Sequence, residues 1–271
     1  MPEKLTAPLG VRLEFKTLIV SDIHLGTEEC KINEINYLLE HSKAQTIILN
    51  GDIIDGWSLR RRGGWKPGHT RFVQLILRRM EDRESQIIYT RGNHDDLLGR
   101  FLPLSFGSIQ IVEETVHQTQ AGPYLIVHGD VFDAVTQNHP VLSHIGDISY
   151  QTLLKINRMT NRIRRWMGME NFSFSKLIKQ RVKEAVNYLS RFEEHVEALA
   201  LKRGCVGIIC GHIHTPADKK IGKVHYLNSG DWVESLTCIV ETLEGELKVI
   251  TYEEFCRELQ IKAMNLPPTA S

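Results

Sequence analysis

The sequence predicts an α/β sandwich that carries a helical insertion, and three observations predict it. Five short β-branched runs each end in a cluster drawn from Asp, His, Asn and Gly; helix-period segments separate the early runs; and a long strand-poor stretch extends from Val131 to Arg203. Short apolar runs bounded by turn formers read as buried strands, and strand–helix–strand alternation implies a largely parallel core over the first hundred residues.

The elements follow in order. Thr17-Leu-Ile-Val20 leads into Ser21-Asp22-Ile23-His24, and Thr46-Ile-Ile-Leu49 into Asn50-Gly51-Asp52. Ile32, Ile35, Leu38 and Leu39 fall at helical spacing after the first run, as do Phe72, Leu75, Ile76 and Met80 after the second. Gln86-Ile-Ile-Tyr89 leads into Arg91-Gly92-Asn93-His94-Asp95, and Tyr124-Leu-Ile-Val127 into His128-Gly129-Asp130. Beyond Gly107 the pattern turns to short β segments at Ser108–Val112 and Thr115–Gln120, and later at Lys223–Asn228, Val233–Glu241 and Glu246–Thr251. These favour a sandwich over a simple doubly wound sheet. Val206-Gly-Ile-Ile209 supplies the fifth run, ending in Gly211-His212-Ile213-His214. Thr251 and Glu254 have capping-box spacing and open a last helix, Tyr252–Ile261. The expected organisation is a core of residues 1–130 and 204–262, a helical cap of 131–203 and a flexible tail of 263–271.

Composition narrows the function. The 271 residues carry 33 Lys and Arg against 33 Asp and Glu, so a globally basic nucleic-acid coat is excluded. No run approaches the ~18 apolar residues that span a bilayer, and the first residues lack the apolar core of a signal peptide. Five scattered cysteines, without a CxxC pair, suit a reducing cytosol. The expectation is a cytoplasmic globular protein.

In an open α/β fold, groups that act on a ligand sit just beyond the carboxyl ends of the strands. All five polar clusters fall there. Asp22 and His24, one residue apart, share a face of extended chain, and His212 and His214 repeat the arrangement. Asp52, Asn93 and His128 arrive singly, each beside a glycine that permits close backbone approach. Two Asp, one Asn and four His make seven donors, too many for one tetrahedral zinc. They suit two metal ions sharing a bridging carboxylate. Imidazole and carboxylate without thiolate favours manganese, iron or zinc over calcium.

In order and spacing, Asp22-x-His24, Gly51-Asp52, Gly92-Asn93-His94-Asp95, His128 and Gly211-His212-x-His214 resemble the calcineurin-like metallophosphoesterase superfamily over about Lys16–Thr251. The resemblance implies a four-layer-type β-sandwich flanked by helices, with a helical cap inserted. It assigns Asp22, His24, Asp52 and His214 to one metal ion, and Asp52, Asn93, His128 and His212 to the other. It makes His94 the group that protonates a leaving oxygen. Asp95 is expected to orient that imidazole, and Asp55 and Asp130 fall near the same rim, as supporting carboxylates or as loop residues. The remaining histidines are expected to be packing or surface residues.

Two further stretches bear on substrate. Arg60-Arg61-Arg62-Gly63-Gly64-Trp65 follows the second cluster closely; Arg60, Arg61 and Trp65 are candidate contacts to a phosphate or diphosphate, against a solvated loop as the alternative. From Lys155 to Arg191 there are ten Lys or Arg and two Asp or Glu. Lys155, Arg158, Arg162 and Arg165 form a basic stripe beside the apolar stripe Ile156, Met159, Ile163 and Trp166. Packing onto the core, an anionic lipid or acyl-bearing substrate, and nucleic acid all remain open for it, the last disfavoured; Arg162, Arg165 and Trp166 are the candidate contacts. An insertion between His128 and Gly211-His212 resembles the UDP-2,3-diacylglucosamine diphosphatase branch of lipid A synthesis. That resemblance implies cleavage of a nucleotide-linked diacyl sugar to UMP and a lipid phosphate. It further implies two divalent ions, manganese foremost, and a peripheral place at the inner face of the cytoplasmic membrane. Members of that branch carry Arg where this chain has His94.

Overall fold

The computed structural model describes residues 10–61, 63–82, 84–95, 102–133 and 191–265. The basic stripe with Arg162, Arg165 and Trp166, the end of the chain beyond residue 265, and Arg62 lie outside the described residues. The chain divides into two compact units, Met1–Val131 with Glu197–Ser271, and Phe132–Val196. Within the second, the buried Phe132 and Phe192 rings meet edge to face at 5.5 Å.

Strand β1 (Leu13–Val20) is followed by α1 (Ile32–Glu40), β2 (Ser42–Asn50), α2 (Gly56–Arg61), α3 (Pro67–Glu81) and β3 (Gln86–Thr90). Four short strands come next, β4 (Leu104–Phe106), β5 (Ile109–Val112), β6 (Glu114–Thr119) and β7 (Gly122–Val127). Residues 191–202 form helix α4, with Phe192, Val196 and Ala200 as one buried stripe. The chain closes with β8 (Gly207–Cys210), β9 (Ala217–Ile221), β10 (Val224–Asn228), β11 (Thr237–Glu241), β12 (Leu247–Thr251) and α5 (Tyr252–Met264). The predicted capping box is present at α5: Thr251 Oγ1 accepts from the Glu254 amide at 3.1 Å, and Glu254 Oε2 accepts from the Thr251 amide at 2.7 Å.

Two sheets result, ordered β12-β11-β1-β2-β3-β5-β4 and β6-β7-β8-β10-β9. β1, β2, β3 and β5 run parallel, as do β7, β8 and β10, so the carboxyl ends of each set share one edge. The apolar runs do not alternate with polar residues because both faces of these strands are covered. Leu18, Val20, Ile47 and Leu49 pack under α1, α3 and α5 with Ile35, Leu38, Phe72, Ile76 and Phe255. Their neighbours Ile19 and Ile48 face the other way, against Ile126, Ile209 and Leu227 of the second sheet. At about 1.5–3 kcal/mol for each fully buried large apolar side chain, these two cores hold the strand ends in place.

Two local expectations change, and one strand was not expected. The strand expected at Val233–Glu241 begins only at Thr237, because Asp231 Oδ1 accepts the amides of Val233 and Ser235, at 2.7 and 3.3 Å, and that of Glu234 as well, folding the chain into a turn. The arginine-rich stretch is not all loop: α2 runs to Arg61, capped by Asp55, whose Oδ1 accepts from the Ser58 amide. Strand β9 carries no apolar run at all, and it is the exposed edge of its sheet.

Candidate metal centre

Each strand end turns sharply into the site. Asp22, His24, Asp52, His212 and His214 all adopt left-handed backbone, with φ between 50° and 67°; among the other described non-glycine residues only Leu236 does so. Such conformations are costly for L-residues and collect where function demands them. Hydrogen bonds between loops hold the strain: Asp22 N to Gly51 O at 3.1 Å, and His24 N to Asp52 O at 3.0 Å. The glycines act as foreseen. A Cβ at Gly51, whose φ is +77°, would overlap the His128 ring, and one at Gly92 would overlap the Asp52 carboxylate.

Both carboxylates are pinned at one oxygen. Asp22 Oδ2 accepts from the His212 amide at 3.0 Å, and Asp52 Oδ1 from the His94 amide at 2.8 Å. The other oxygens turn inward. Asp22 Oδ1 lies 3.2 Å from His214 Nε2 and 4.0 Å from His128 Nε2. Asp52 Oδ2 lies 3.3 Å from His128 Nε2, 4.0 Å from His24 Nε2 and 3.9 Å from His94 Nε2. His128 Nδ1 sits 2.9 Å from the Asn50 carbonyl, which places a proton on that nitrogen and leaves Nε2 as the donor atom. Candidate donor atoms of Asp22, His24 and His214 fall within 4.8 Å of one another, and so do those of Asp52, His128 and His212.

These residues fit divalent cations. Asp22 Oδ1 and Asn93 Oδ1 are buried without a hydrogen-bond partner. Leaving such atoms unpaired is expensive, and two cations, one at Asp22 and one at Asn93, would satisfy them. The three imidazoles within 4.0 Å of the inward oxygen of Asp52, with that carboxylate, are borderline-hard donors, as manganese, iron and zinc prefer.

Electrostatics follows from this crowding. Burial raises the Asp52 carboxyl, but the His128 hydrogen bond and charge, the His94 amide and His24 outweigh it and hold the group well below the usual carboxylate range. Burial lowers His128, yet the Asp52 hydrogen bond and the Asp22 and Asp52 charges lift it to about 9. His24 goes the other way, lowered chiefly by burial. In ion-free protein the His128–Asp52 pair therefore contributes stability that is complete below 6.5 and lost as pH rises through about 9. A ligating imidazole must be neutral, so manganese loading followed calorimetrically at pH 7 in buffers of differing ionisation heat is expected to release protons. Affinity should climb with pH and level off near 9. Affinity independent of pH would show that His128 carries no proton to displace.

His94 stands at the rim, one ring nitrogen toward Asp52 and Nδ1 at 3.0 Å from Asp55 Oδ2. The expected orienting carboxylate, Asp95, is not the one beside it. Asp95 is buried and points back under the loop, where Oδ2 and Oδ1 accept the amides of Ile53 and Ile54 at 3.1 and 2.9 Å. Burial lifts its carboxyl to about 6. Asp55 lies beside both His94 and His24, with Oδ2 at 3.3 Å from His24 Nδ1. Asp95 thus clamps the loop that carries Asp52. Asp95→Ala is expected to lower the urea unfolding free energy by roughly 1–3 kcal/mol, because two amides lose their acceptor, with partial recovery in Asp95→Asn.

Of the candidate phosphate contacts, Arg61 lines a cavity of about 490 Å³ beside His94. Arg60 is exposed on α2, and Trp65 bonds Thr70 Oγ1 through Nε1 at 2.9 Å, at the start of α3. Asp130 pairs with Arg91 at 3.4 Å. Sequence reasoning missed Trp57, whose ring lies 4.4 Å from that of His94. It also missed Asp231, whose buried Oδ2 is 3.9 Å from His214 Nδ1. A signal for Asp231 existed: β10 ends in Asn228-Ser229-Gly230-Asp231, a sixth strand end built like the other five.

The chain is similar to several known proteins. Residues 15–216 match the family model described as calcineurin-like phosphoesterase. A protein of Coxiella burnetii named UDP-2,3-diacylglucosamine hydrolase is 26% identical over 213 residues, covering 74% of this chain and 81% of that one. One of the same name from Pseudomonas fluorescens is 26% identical over 227 residues, covering 79% and 82%. Among solved structures, a hypothetical protein of Pyrococcus horikoshii OT3 aligns with a TM-score of 0.45 at 11% identity, covering 94% of this chain and 95% of that one.

Proposed function

The chain belongs to the calcineurin-like phosphoesterase family, a hydrolase family, and we propose that it cleaves the diphosphate of UDP-2,3-diacylglucosamine, or a similar nucleotide-linked lipid, to UMP and a lipid phosphate. The observation that carries the hydrolase chemistry is the convergence of His24, His94 and His128 nitrogens on the inward oxygen of Asp52. The names of the relatives support the substrate.

Asp22, His24, Asp52 and His214 would hold one divalent ion, and Asp52, Asn93, His128 and His212 the other, with manganese as the preferred ion. When bound, such ions neutralise phosphoryl oxygens and make water a nucleophile at neutral pH. The protein does the rest. The amides of His94 and His212 fix which oxygen of each carboxylate faces inward, so no reorganisation is needed as charge develops. His94 presents Nε2 to the reacting region, with Asp55 Oδ2 3.0 Å from its Nδ1, and would deliver a proton to the leaving oxygen.

No helix among the described residues is long and apolar enough to cross a membrane. A lipid-linked substrate calls for peripheral contact at the inner face of the cytoplasmic membrane, and Arg162, Arg165 and Trp166 are the residues we assign to it. Incubation with UDP-2,3-diacylglucosamine and Mn²⁺ should release UMP. Hydrolysis of bis-p-nitrophenyl phosphate without UMP release would retain the hydrolase and reject this substrate.

A further inference from the structure

The cavity beside His94 is a built pocket with a particular chemistry. Its walls include Glu28 and Glu29 from the loop after β1, and Trp57, Ser58 and Arg61 from α2. At about 490 Å³ it lies within the ~300–1,000 Å³ of small-molecule sites. Its two sides are locked together. The Ser58 hydroxyl donates to the Gly26 carbonyl at 3.3 Å, and a Cβ on Gly63 would overlap that same carbonyl. The pocket is therefore preformed.

Trp57 is 51% exposed, although an indole is among the most favourable groups to cover. It packs tilted on His94, with ring centroids 4.4 Å apart at an interplanar angle of 36°, and leaves indole surface uncovered in the wall of the cavity. Opposite chemistry lines the rest. Two glutamates and Asp55 offer acceptors, against one guanidinium and one imidazole. An acyl chain finds too many carboxylates there, and a free anion meets their repulsion. A ring with a flat apolar face and adjacent hydroxyls fits both features, stacking on the indole while its hydroxyls donate to the carboxylates.

We infer that this pocket binds a neutral, hydroxyl-bearing ring of the substrate, a nucleoside or a hexose, joined through phosphate to the metal centre. Arg61 meets the linking phosphate at the pocket mouth. The inference rests on the proposed function in that the metal centre would hold the phosphate and His94 forms one wall.

The test is calorimetric binding to the manganese-loaded protein of three phosphonates whose carbon–phosphorus bonds resist hydrolysis: those of uridine and glucosamine, and methylphosphonate. A ring-bearing phosphonate should bind about tenfold tighter than methylphosphonate, and whichever does so identifies the ring. In Trp57→Ala, and in Glu28→Gln combined with Glu29→Gln, that ratio should fall toward one. All three side chains are exposed, so the variants are expected to keep the wild-type circular dichroism. Equal affinities in the wild type, or a ratio that survives both variants, would overturn the inference. Ring-dependent binding without hydrolysis of any ester would instead remove the hydrolase reading and leave the pocket standing.

Discussion

Asp52→Ala is expected to abolish turnover of bis-p-nitrophenyl phosphate, with kcat/KM falling by about a thousandfold or more. The magnitude follows from what one carboxylate does here. Its inward oxygen lies within 4.0 Å of three imidazoles, and its outer oxygen holds the His94 amide. Removing it takes away the carboxylate that the two proposed ions would share and frees the loop bearing His94. Loss of several kcal/mol of charge stabilisation corresponds to at least about three decades in rate. Elemental analysis after manganese reconstitution should show the ion content falling in parallel. Wild-type turnover in Asp52→Ala would exclude the centre as the place of reaction. Asp52→Asn separates the contributions, since it keeps a carbonyl for the His94 amide while removing the negative charge.

His94→Ala should behave differently, losing about 10²–10⁴ in rate while keeping its ions. His94 Nε2 is 3.9 Å from Asp52 Oδ2, yet its ring stands at the rim with Trp57 against it and Asp55 behind. A proton donor in that position matters most for a poor leaving group. The loss should therefore be larger with an alkyl phosphodiester than with bis-p-nitrophenyl phosphate, whose leaving phenolate needs little help. Asp55→Asn should give a smaller loss of the same kind, because the side-chain oxygen stays near Nδ1 and the charge does not. If ion content falls with His94→Ala, the imidazole is a ligand, and the grouping of His24, Asp55 and His94 within 4.8 Å describes a binding site of its own.

Much of this centre was legible in the chain. Buried β-branched runs require cover on both faces, so they announce central strands. A strand that stops at Asp-x-His or Gly-Asp announces a ligand-bearing edge. Asp22, His24, Asp52, His128, His212 and His214 stand at such ends, in two groups that could each hold a metal ion. Of the seven histidines without such context, five lie among the described residues. His117, for example, lies 2.7 Å from the buried Glu241 and touches Thr17, between the sheets. What stayed illegible was the choice of partner. Asp95 is next to His94 in sequence and Asp55 is not, yet Asp55 faces the ring. The amides of Ile53 and Ile54 claimed Asp95 first, because β2 and β3 are parallel neighbours in register from Thr46 with Gln86 to Asn50 with Thr90.

The chain by itself determined which residues arrive at strand ends, since local periodicity and turn chemistry act over a few residues. It determined the count and softness of the donors as well. Tertiary structure decided which oxygen of each carboxylate faces inward, which carboxylate backs His94, and that Trp57 walls a pocket. Those outcomes depend on hydrogen bonds between loops tens of residues apart, and the register of parallel strands selects among them only once the sheet has formed.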